Sequence, residues 1–242
     1  MKTIAIIQAR MGSERLPNKV MKVVGDDTIL GHVINRVVKI KRVSEIMVAT
    51  TTLPEDQSIF DYCTNRNVKC YRGNSKNVLD RFYRAALATS AEAIMRITAD
   101  CPVLDPDVSY KVLDLFLRKE CDYASNVLPP TYPDGMDTEV FSFETLESAF
   151  RSSTNSYQKE HVTPYIYQNP NLFKILNLES EKDLSSFRLV VDTKEDFNFI
   201  KKIYEVLGDS FYTANHKELI KFVTQNPDLK YIKLSSKRNE NT

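Results

Sequence analysis

The order of apolar segments along the chain is the feature that most restricts its fold. Four stretches have the composition of β-strands, and the segments between them carry apolar residues at helical spacing. The strand-like stretches are TIAIIQA, EIMVATT, AIMRIT and DYASN. Strands that alternate with helices predict a three-layer α/β/α fold, in which a mostly parallel twisted sheet has helices on both faces.

The helical segments begin with residues that commonly cap helices. Thr28, Asn77 and Asp105 each precede a run with one apolar face. Thr193, with Asp196 three residues further on, has the pattern of a capping box. These positions predict where four of the helices begin.

The second half of the chain is less regular. A proline-rich stretch, NVLPPTYPDGMDTEVFS, predicts a shaped loop that leads into a strand. Helices are then expected over residues 144–151 and from Tyr157, and strands are expected over residues 172–178 and at FRLVVD, which ends at Asp192. We expect one domain over residues 1–234, followed by a frayed polar tail at 235–242.

Composition limits the partners that such a domain can have. The 242 residues include 33 Lys and Arg against 32 Asp and Glu, so no overall charge draws the chain to nucleic acid or to a membrane surface. The four cysteines lack paired spacing and companion histidines, which favours reduced thiols over a zinc site. The N-terminal apolar run is too short for a signal peptide, so we expect a cytoplasmic protein.

A loop rich in cations follows the first predicted strand. In QARMGSERLPNK, Arg10, Arg15 and Lys19 accompany a glycine and a serine. The first loop of such a sheet is the usual site for phosphate groups, and an anion between the three cations would offset their repulsion. The loop matches neither GxGxxG nor the P-loop pattern, which argues against a dehydrogenase and an ATPase. The alternative is an exposed, solvated basic loop.

Two carboxylates are expected near the same loop. Asp100 and Asp192 each stand at the end of a predicted strand, where side chains face the ligand crevice. Two carboxylates beside a phosphate site require a cation, and Mg²⁺ prefers one or two carboxylates together with phosphate oxygens. The alternative for each aspartate is a helix N-cap.

Six motifs occur in order along most of the chain: QARMGSERLPNKV, NVLDRF, RITADCPVLDP, YPDGMDTEVFS, KEHVTPY and RLVVDTKEDF. Together they resemble the SpsF family, named for spore coat polysaccharide biosynthesis, which is similar to the cytidylyltransferases of Kdo and sialic-acid-like sugars. The resemblance implies a nucleotide-diphospho-sugar transferase type of fold. It also implies the transfer of a nucleoside monophosphate from a nucleoside triphosphate, most simply CTP, to a small acidic sugar or sugar-like acceptor, with release of pyrophosphate. The implied setting is surface polysaccharide or glycoconjugate biosynthesis, and a homodimer is favoured.

The resemblance also implies roles for individual residues. The residues that match the family's triphosphate loop are Ala9, Arg10, Gly12, Ser13, Arg15 and Lys19. Asp100 and Asp192 match its two metal carboxylates, and Arg10, Lys19 and Asp100 would carry catalysis by neutralising charge on the phosphates. Asp137, Glu139 and His161 match the acceptor side, which is expected to span about residues 126–180.

Four positions leave alternatives open. Lys159 stands where the family usually has arginine, which loses the bidentate fork for a carboxylate. Thr98 stands where the Kdo enzymes have a glutamine that reads cytosine, so guanine is a second candidate for the base. Arg81 could reach the base or ribose, or pair with Asp80. His161 could contact a ligand, or could pack or cap a helix.

The identity of the acceptor is also open. It could be a 2-keto acid sugar, a sugar phosphate, or a smaller phosphorylated or phosphonylated molecule. A catalytically idle nucleotide-binding partner is the rival outside the enzymes, and the joint presence of Arg10, Lys19, Asp100 and Asp192 argues against it.

Overall fold

The computed structural model describes residues 1–119 and 121–226. The expected tail at 235–242, together with residues 227–234 of the expected domain, lies outside the described residues. Within the described part of the chain, no helix combines the length and the apolar character needed to cross a membrane.

A seven-stranded sheet forms the centre of the fold, and a two-stranded ribbon lies beside it. The strands are β1 (Thr3–Gln8), β2 (Val23–Val24), β3 (Asp27–Thr28), β4 (Glu45–Thr51), β5 (Lys69–Gly73), β6 (Ala93–Thr98), β7 (Tyr123–Ser125), β8 (Glu139–Ser142) and β9 (Ile175–Asn177). The large sheet has the order β5-β4-β1-β6-β8-β7-β9. Among the strands of the described residues, only β8 runs antiparallel to its neighbours in this sheet, which confirms the prediction of a mostly parallel sheet.

Helices cover both faces of the sheet. They are α1 (Ile29–Val37), α2 (Gln57–Asn65), α3 (Val78–Thr89), α4 (Pro106–Lys119), α5 (Phe143–Ser152), α6 (Ser156–His161), α7 (Pro164–Tyr167), α8 (Lys194–Leu207) and α9 (His216–Gln225). One apolar cluster joins α1, α2 and α4 to the sheet, and a second joins α3 and α5 to the opposite face. A third cluster packs α8 and α9 against the ribbon. The three-layer prediction is therefore confirmed.

The alternation of side chains along β1 assigns each face to one helical layer. Ile4 and Ile6 are buried in the cluster that contains α3, whereas Ala5 and Ile7 are buried in the cluster that contains α1. Because successive strand residues point to opposite faces, Gln8 at the end of β1 lies on the face of α3. This register determines which side chains reach the ligand crevice.

The predicted helix starts are observed at three capping residues. The side chains of Thr28, Asn77 and Thr193 each accept a hydrogen bond from a backbone N–H in the first turn of α1, α3 and α8. Asp196 completes the capping box of α8 as predicted. The sequence pattern therefore located these helix starts correctly.

The prediction of a strand at FRLVVD is wrong. Residues 187–192 contain no strand, and only an isolated bridge joins Arg188 to Asp134. The Leu189 N–H donates to the carbonyl of Asp134 at 2.7 Å, and the Val191 N–H donates to that of Asp100 at 2.8 Å. A Cβ at Gly135 would lie 2.8 Å from backbone atoms of Leu189, so the two segments need a glycine to approach this closely. The segment is thus fastened to loops at the sheet edge rather than to a strand.

Candidate functional site

The site lies where β1 and β6 end side by side. Gln8 and Thr98 are paired in the register of these parallel strands, and the loops beyond them open into two adjoining cavities. In the part of the chain that the structure describes, four residues line both cavities: Arg15, Thr98, Asp100 and Asp192. The carboxyl end of the sheet is therefore the position of the crevice, as the sequence predicted.

The cavity on the side of the first loop encloses about 980 Å³. The predicted nucleotide residues that line it are Arg10, Gly12, Ser13, Arg15, Lys19 and Thr98. We call it the nucleotide cavity. Most of the predicted triphosphate loop thus surrounds one space.

A single ammonium group joins the two predicted metal ligands. Nζ of Lys19 lies 2.6 Å from Oδ2 of Asp100 and 3.0 Å from Oδ1 of Asp192. The lysine side chain is only 13% exposed, so solvent screens these pairs weakly. Residues that are 81 and 173 positions from Lys19 therefore meet at one cation.

Charge pairing controls the ionisation of this cluster. Burial alone would lower the pKa of Lys19, but the carboxylates of Asp100 and Asp192 outweigh it and raise that pKa. Burial alone would raise the pKa of Asp100, but the Lys19 ammonium outweighs it and lowers that pKa. Lys19 and Asp100 are consequently both charged at neutral pH.

The other cations of the loop also have partners within the protein. Arg15 forms an ion pair with Asp192, and Nη2 of Arg10 lies 3.5 Å from Oε1 of Glu160. The side chains of Arg10 and Arg15 are about half exposed, at 45% and 48%. The loop is therefore neither simply solvated nor in need of an external anion when no ligand is bound.

The helix-cap alternative does not describe Asp192. Thr193, and not Asp192, is the N-cap of α8. The Asp192 carboxylate instead contacts Lys19, Arg15 and Arg188, the last at 3.5 Å. Its oxygens thus face the crevice as the ligand interpretation requires.

The start of the predicted triphosphate loop is fixed by Asp56, a residue that sequence reasoning missed. The buried carboxylate of Asp56 accepts the backbone N–H of Met11 at 2.7 Å and that of Thr51 at 3.2 Å. Asp56 precedes α2 without capping it through its side chain. An aspartate before a helix normally indicates a cap, so no sequence signal identified this tether.

Two predicted nucleotide residues are not among those that line either cavity. Ala9 is buried, and its N–H donates to the carbonyl of Ala49 at 3.1 Å. Arg81 is fully buried, donates through Nη1 to the carbonyl of Asn74, and has no hydrogen-bond partner at Nε or Nη2. Asp80 forms its ion pair with Arg84, so the expected alternative partner of Arg81 is engaged elsewhere.

The second cavity encloses about 720 Å³ and contains the predicted acceptor residues Asp137, Glu139 and His161. We call it the acceptor cavity. Glu139 forms an ion pair with Arg96 and accepts the Tyr123 hydroxyl at 2.7 Å. Burial alone would lower the pKa of Arg96, but the charge of Glu139 outweighs the effect of burial and raises the pKa above its usual value. Arg96, Thr98 and Asp100 share this cavity, which agrees with the alternation of side chains along β6.

His161 is the last residue of α6, and the helical run expected to continue after it is interrupted. Val162 has φ of +71°, and the next helix begins at Pro164. The imidazole lies against the ring of Tyr157, with ring centroids 4.6 Å apart. Burial lowers its pKa, so the ring is neutral at pH 7 and can accept a proton or a hydrogen bond from a ligand.

Arg188 is a further site residue that sequence reasoning missed. Its guanidinium contacts Asp134 at 2.7 Å and Asp196 at 3.1 Å, and it also approaches Asp192. It lines the acceptor cavity beside Asp192. The acid partners are up to 54 residues away in sequence, so the spacing of residues could not indicate this network.

The donor set suits a divalent cation that is shared with a phosphate ligand. Within residues 1–119 and 121–226, no group of three or more His, Cys, Asp or Glu side chains could hold a metal alone. Two carboxylates converge at the position of the Lys19 ammonium, so this position accepts positive charge. Two carboxylates with the remaining ligands from phosphate and water are the arrangement that Mg²⁺ favours.

Comparison with known proteins finds a matching family and relatives that cover nearly the whole chain. A family model described as Cytidylyltransferase matches residues 4–233. The chain is 42% identical over 238 residues to the uncharacterized protein MJ1063 of Methanocaldococcus jannaschii, covering 96% of this chain and 94% of the relative. It is 33% identical over 235 residues to the spore coat polysaccharide biosynthesis protein SpsF of Bacillus subtilis, covering 92% and 94%.

Solved structures agree with the sequence comparison. A cytidylyltransferase from Leptospira borgpetersenii superposes with a TM-score of 0.91 at 30% identity, covering 98% of this chain and all of the other. The CMP:2-keto-3-deoxy-manno-octonic acid synthetase complexed with CTP superposes with a TM-score of 0.65 at 15% identity, covering 85% and 99%. The second likeness shows the fold alone. Kdo cytidylyltransferases are also similar in sequence, at 22% identity over 227 residues for that of Koribacter versatilis, which covers 86% of this chain and 85% of the relative.

Proposed function

We propose that this chain, which belongs to the cytidylyltransferase family, transfers CMP from CTP to a small acceptor. The acceptor is an acidic sugar or sugar-like molecule that is attacked through one of its oxygens, and pyrophosphate is released. The observation that carries this proposal is the convergence of Asp100 and Asp192 on Lys19 at the boundary of two cavities. One cavity has the phosphate-binding loop, and the other contains the residues expected to meet the acceptor. A transfer between two substrates requires this adjacency.

The cations of the loop have a direct electrostatic role in the proposed reaction. Nucleotidyl transfer needs in-line geometry and neutralisation of phosphate charge rather than a covalent relay. Arg10, Arg15 and Lys19 would exchange their carboxylate partners for triphosphate oxygens and offset the charge of the departing pyrophosphate. No serine or cysteine nucleophile is needed.

Asp100 and Asp192 would hold Mg²⁺. A bound magnesium ion would polarise a phosphate oxygen and neutralise charge that develops on it. The two carboxylates would keep their positions at the cavity boundary, while the Lys19 ammonium moves from between them toward the phosphates. Asp192 is held from the other side by Arg188, which itself is fixed by Asp134 and Asp196.

The proposed setting is the biosynthesis of surface polysaccharide or glycoconjugate, because SpsF is a relative over most of the chain. The acidic character of the acceptor is proposed from the similarity to the Kdo cytidylyltransferases. The same resemblance is the basis for proposing a homodimer, and a cytoplasmic location is proposed because nucleoside triphosphates are available there.

The test is release of pyrophosphate with Mg²⁺, scanned over CTP, UTP, GTP and ATP against a pool of acidic sugars and sugar phosphates. We expect CTP to support release with at least one acceptor and an Asp192→Asn variant to lose it. Pyrophosphate release that depends on GTP would show that the enzyme selects guanine instead of cytosine, which is the alternative that Thr98 leaves open. Failure to bind any of the four nucleotides with Mg²⁺ would refute the proposed function.

A further inference from the structure

Gln8 occupies a position in the nucleotide cavity that no sequence pattern assigned. It ends β1, it lies opposite Thr98 in the register of β1 and β6, and it lines the nucleotide cavity. It is not among the residues that line the acceptor cavity. Its side chain lies on the face of α3, the same face as Thr98, because both continue the alternation of their strands.

The orientation of the Gln8 amide is set by its neighbour on β6. Nη2 of Arg96 lies 3.4 Å from Oε1 of Gln8. A guanidinium can only donate hydrogen bonds, so the carbonyl oxygen of the amide must face Arg96. Nη1 of the same arginine is held by Glu139, which in turn accepts the Tyr123 hydroxyl. A buried chain of Tyr123, Glu139 and Arg96 thus determines which way the amide points.

The other end of the amide is available to a ligand. Within the described residues, Nε2 of Gln8 donates no hydrogen bond to the protein, and the side chain is partly exposed at the cavity wall. Thr98 is a poorer candidate for base recognition, because its hydroxyl lies 3.2 Å from Sγ of Cys101 and a single hydroxyl cannot form a pair of parallel hydrogen bonds. The amide is therefore the group at this position that can make a bidentate contact.

We propose that Gln8 is the residue that selects cytosine, an inference that rests on the proposed function. Nε2 donates to N3 of the base, while Oε1 accepts from the exocyclic amino group and from Arg96. Uracil presents the opposite pattern, an N3–H donor and an O4 acceptor, so it requires the amide to turn over. A turned amide places its NH₂ group against the Arg96 guanidinium, and two donors then face each other. Arg96 is accordingly a positioning residue for the selection.

The test compares dissociation constants for CTP, UTP and GTP with Mg²⁺ in the wild-type chain and in Gln8→Leu. A bidentate contact is worth about 10- to 100-fold in discrimination. We expect the wild type to prefer CTP over UTP and Gln8→Leu to lose most of this preference, with weaker binding of CTP. The leucine variant keeps the size of the side chain, and a thermal unfolding curve close to that of wild type would show that the fold is retained.

A second variant tests the positioning role separately. In Arg96→Met combined with Glu139→Gln, the ion pair is removed as a unit, so no buried charge is left alone. The amide can then turn over freely, and we expect affinity for UTP to rise toward that for CTP. Unchanged selectivity in this double variant would overturn the role of Arg96.

The outcomes separate this inference from the proposed function. A wild-type chain that binds no nucleotide, or that prefers GTP, would contradict the cytidylyltransferase proposal itself. A wild-type chain that prefers CTP while Gln8→Leu keeps the full CTP over UTP preference would overturn the inference and leave the proposed function standing. Loss of preference in Gln8→Leu with normal unfolding supports both.

Discussion

Asp100 and Asp105 lie five residues apart on the segment after β6, yet their carboxylates have opposite surroundings. The Asp100 side chain is 22% exposed at the cavity boundary, where Lys19 contacts it at 2.6 Å. The Asp105 side chain is 3% exposed and accepts the His216 backbone N–H at 2.9 Å, with the imidazole Nδ1 at 2.6 Å. Its other oxygen accepts the N–H of Asp107 at 2.9 Å.

The difference lies in whether the partners can be exchanged. Asp105 joins the start of α4 to the start of α9 by accepting the backbone N–H groups of Asp107 and His216 and by contacting the His216 ring. Asp100 is paired with a lysine side chain that can move to a phosphate when a ligand arrives. A carboxylate with fixed donors stabilises the fold, whereas a carboxylate with a mobile cation can serve chemistry.

The largest expected effect comes from Asp100→Asn. Loss of one carboxylate from the proposed metal site should lower kcat about a thousand-fold, because metal-assisted charge neutralisation is worth several kcal/mol. CTP should still bind, because the loop cations remain. The measurement is pyrophosphate release alongside CTP binding, and turnover close to wild type would remove Asp100 from the reaction.

A smaller effect of a different kind is expected from Asp105→Asn. The asparagine loses the charged acceptor for His216, which should lower the free energy of unfolding by about 1 to 3 kcal/mol. Turnover per folded molecule should be nearly unchanged, since Asp105 is not among the residues that line either cavity. Urea unfolding and active-site titration measure the two quantities. A large loss of kcat in Asp105→Asn with normal stability would contradict the contrast, because Asp105 would then serve the reaction as Asp100 does.

The smallest expected effect is a dependence of stability on acid pH. Burial would raise the pKa of Asp105, but the hydrogen bonds from His216 and Asp107 outweigh it and lower the pKa from 3.8 to about 2. Because the folded pKa lies below the unfolded value, this stabilisation is present above about pH 4 and is lost as the pH falls toward 2, amounting to roughly 2 kcal/mol. Unfolding of Asp105→Asn and wild type from pH 5 to 2 should converge. Parallel curves would show that Asp105 contributes no such linkage.

Local patterns predicted much of the fold because local physics sets those features. Apolar stretches with the composition of strands identified β1, β4 and β6, and short polar residues identified the caps of α1, α3 and α8. The edge strand β5, with sequence KCYRG, escaped notice because it is short and none of its residues is fully buried. An edge strand needs one neighbour for its hydrogen bonds and has little requirement for an apolar pattern.

The error at FRLVVD has a related cause. Alternating and β-branched residues favour an extended backbone, but they do not determine whether a strand lies within reach to pair with it. Here residues 187–192 meet the loops that contain Asp134 and Asp100, not a strand. The functional prediction for Asp192 is unaffected, because the end of this segment still lies at the crevice.

The site was predictable where one motif contains its chemistry and unpredictable where partners come from distant segments. The cation loop and Asp100 stood out because residue type and position after a strand agree with the general rule for such sheets. Gln8, Asp56 and Arg188 gave no such signal, since each acquires its role through a contact made only in three dimensions. Residue type alone cannot indicate those contacts.

The tether from Asp56 to Met11 has a consequence for the entropy of ligand binding. A glycine-containing loop that became ordered only on contact with a nucleotide would lose conformational freedom at that moment and bind more weakly. Here the first residues of the loop are held by the buried hydrogen bond from Met11 to Asp56. Arg15 and Lys19 are already oriented by the carboxylates of Asp192 and Asp100. Most of the ordering is therefore completed when the chain folds, and the incoming polyanion meets a preorganised surface.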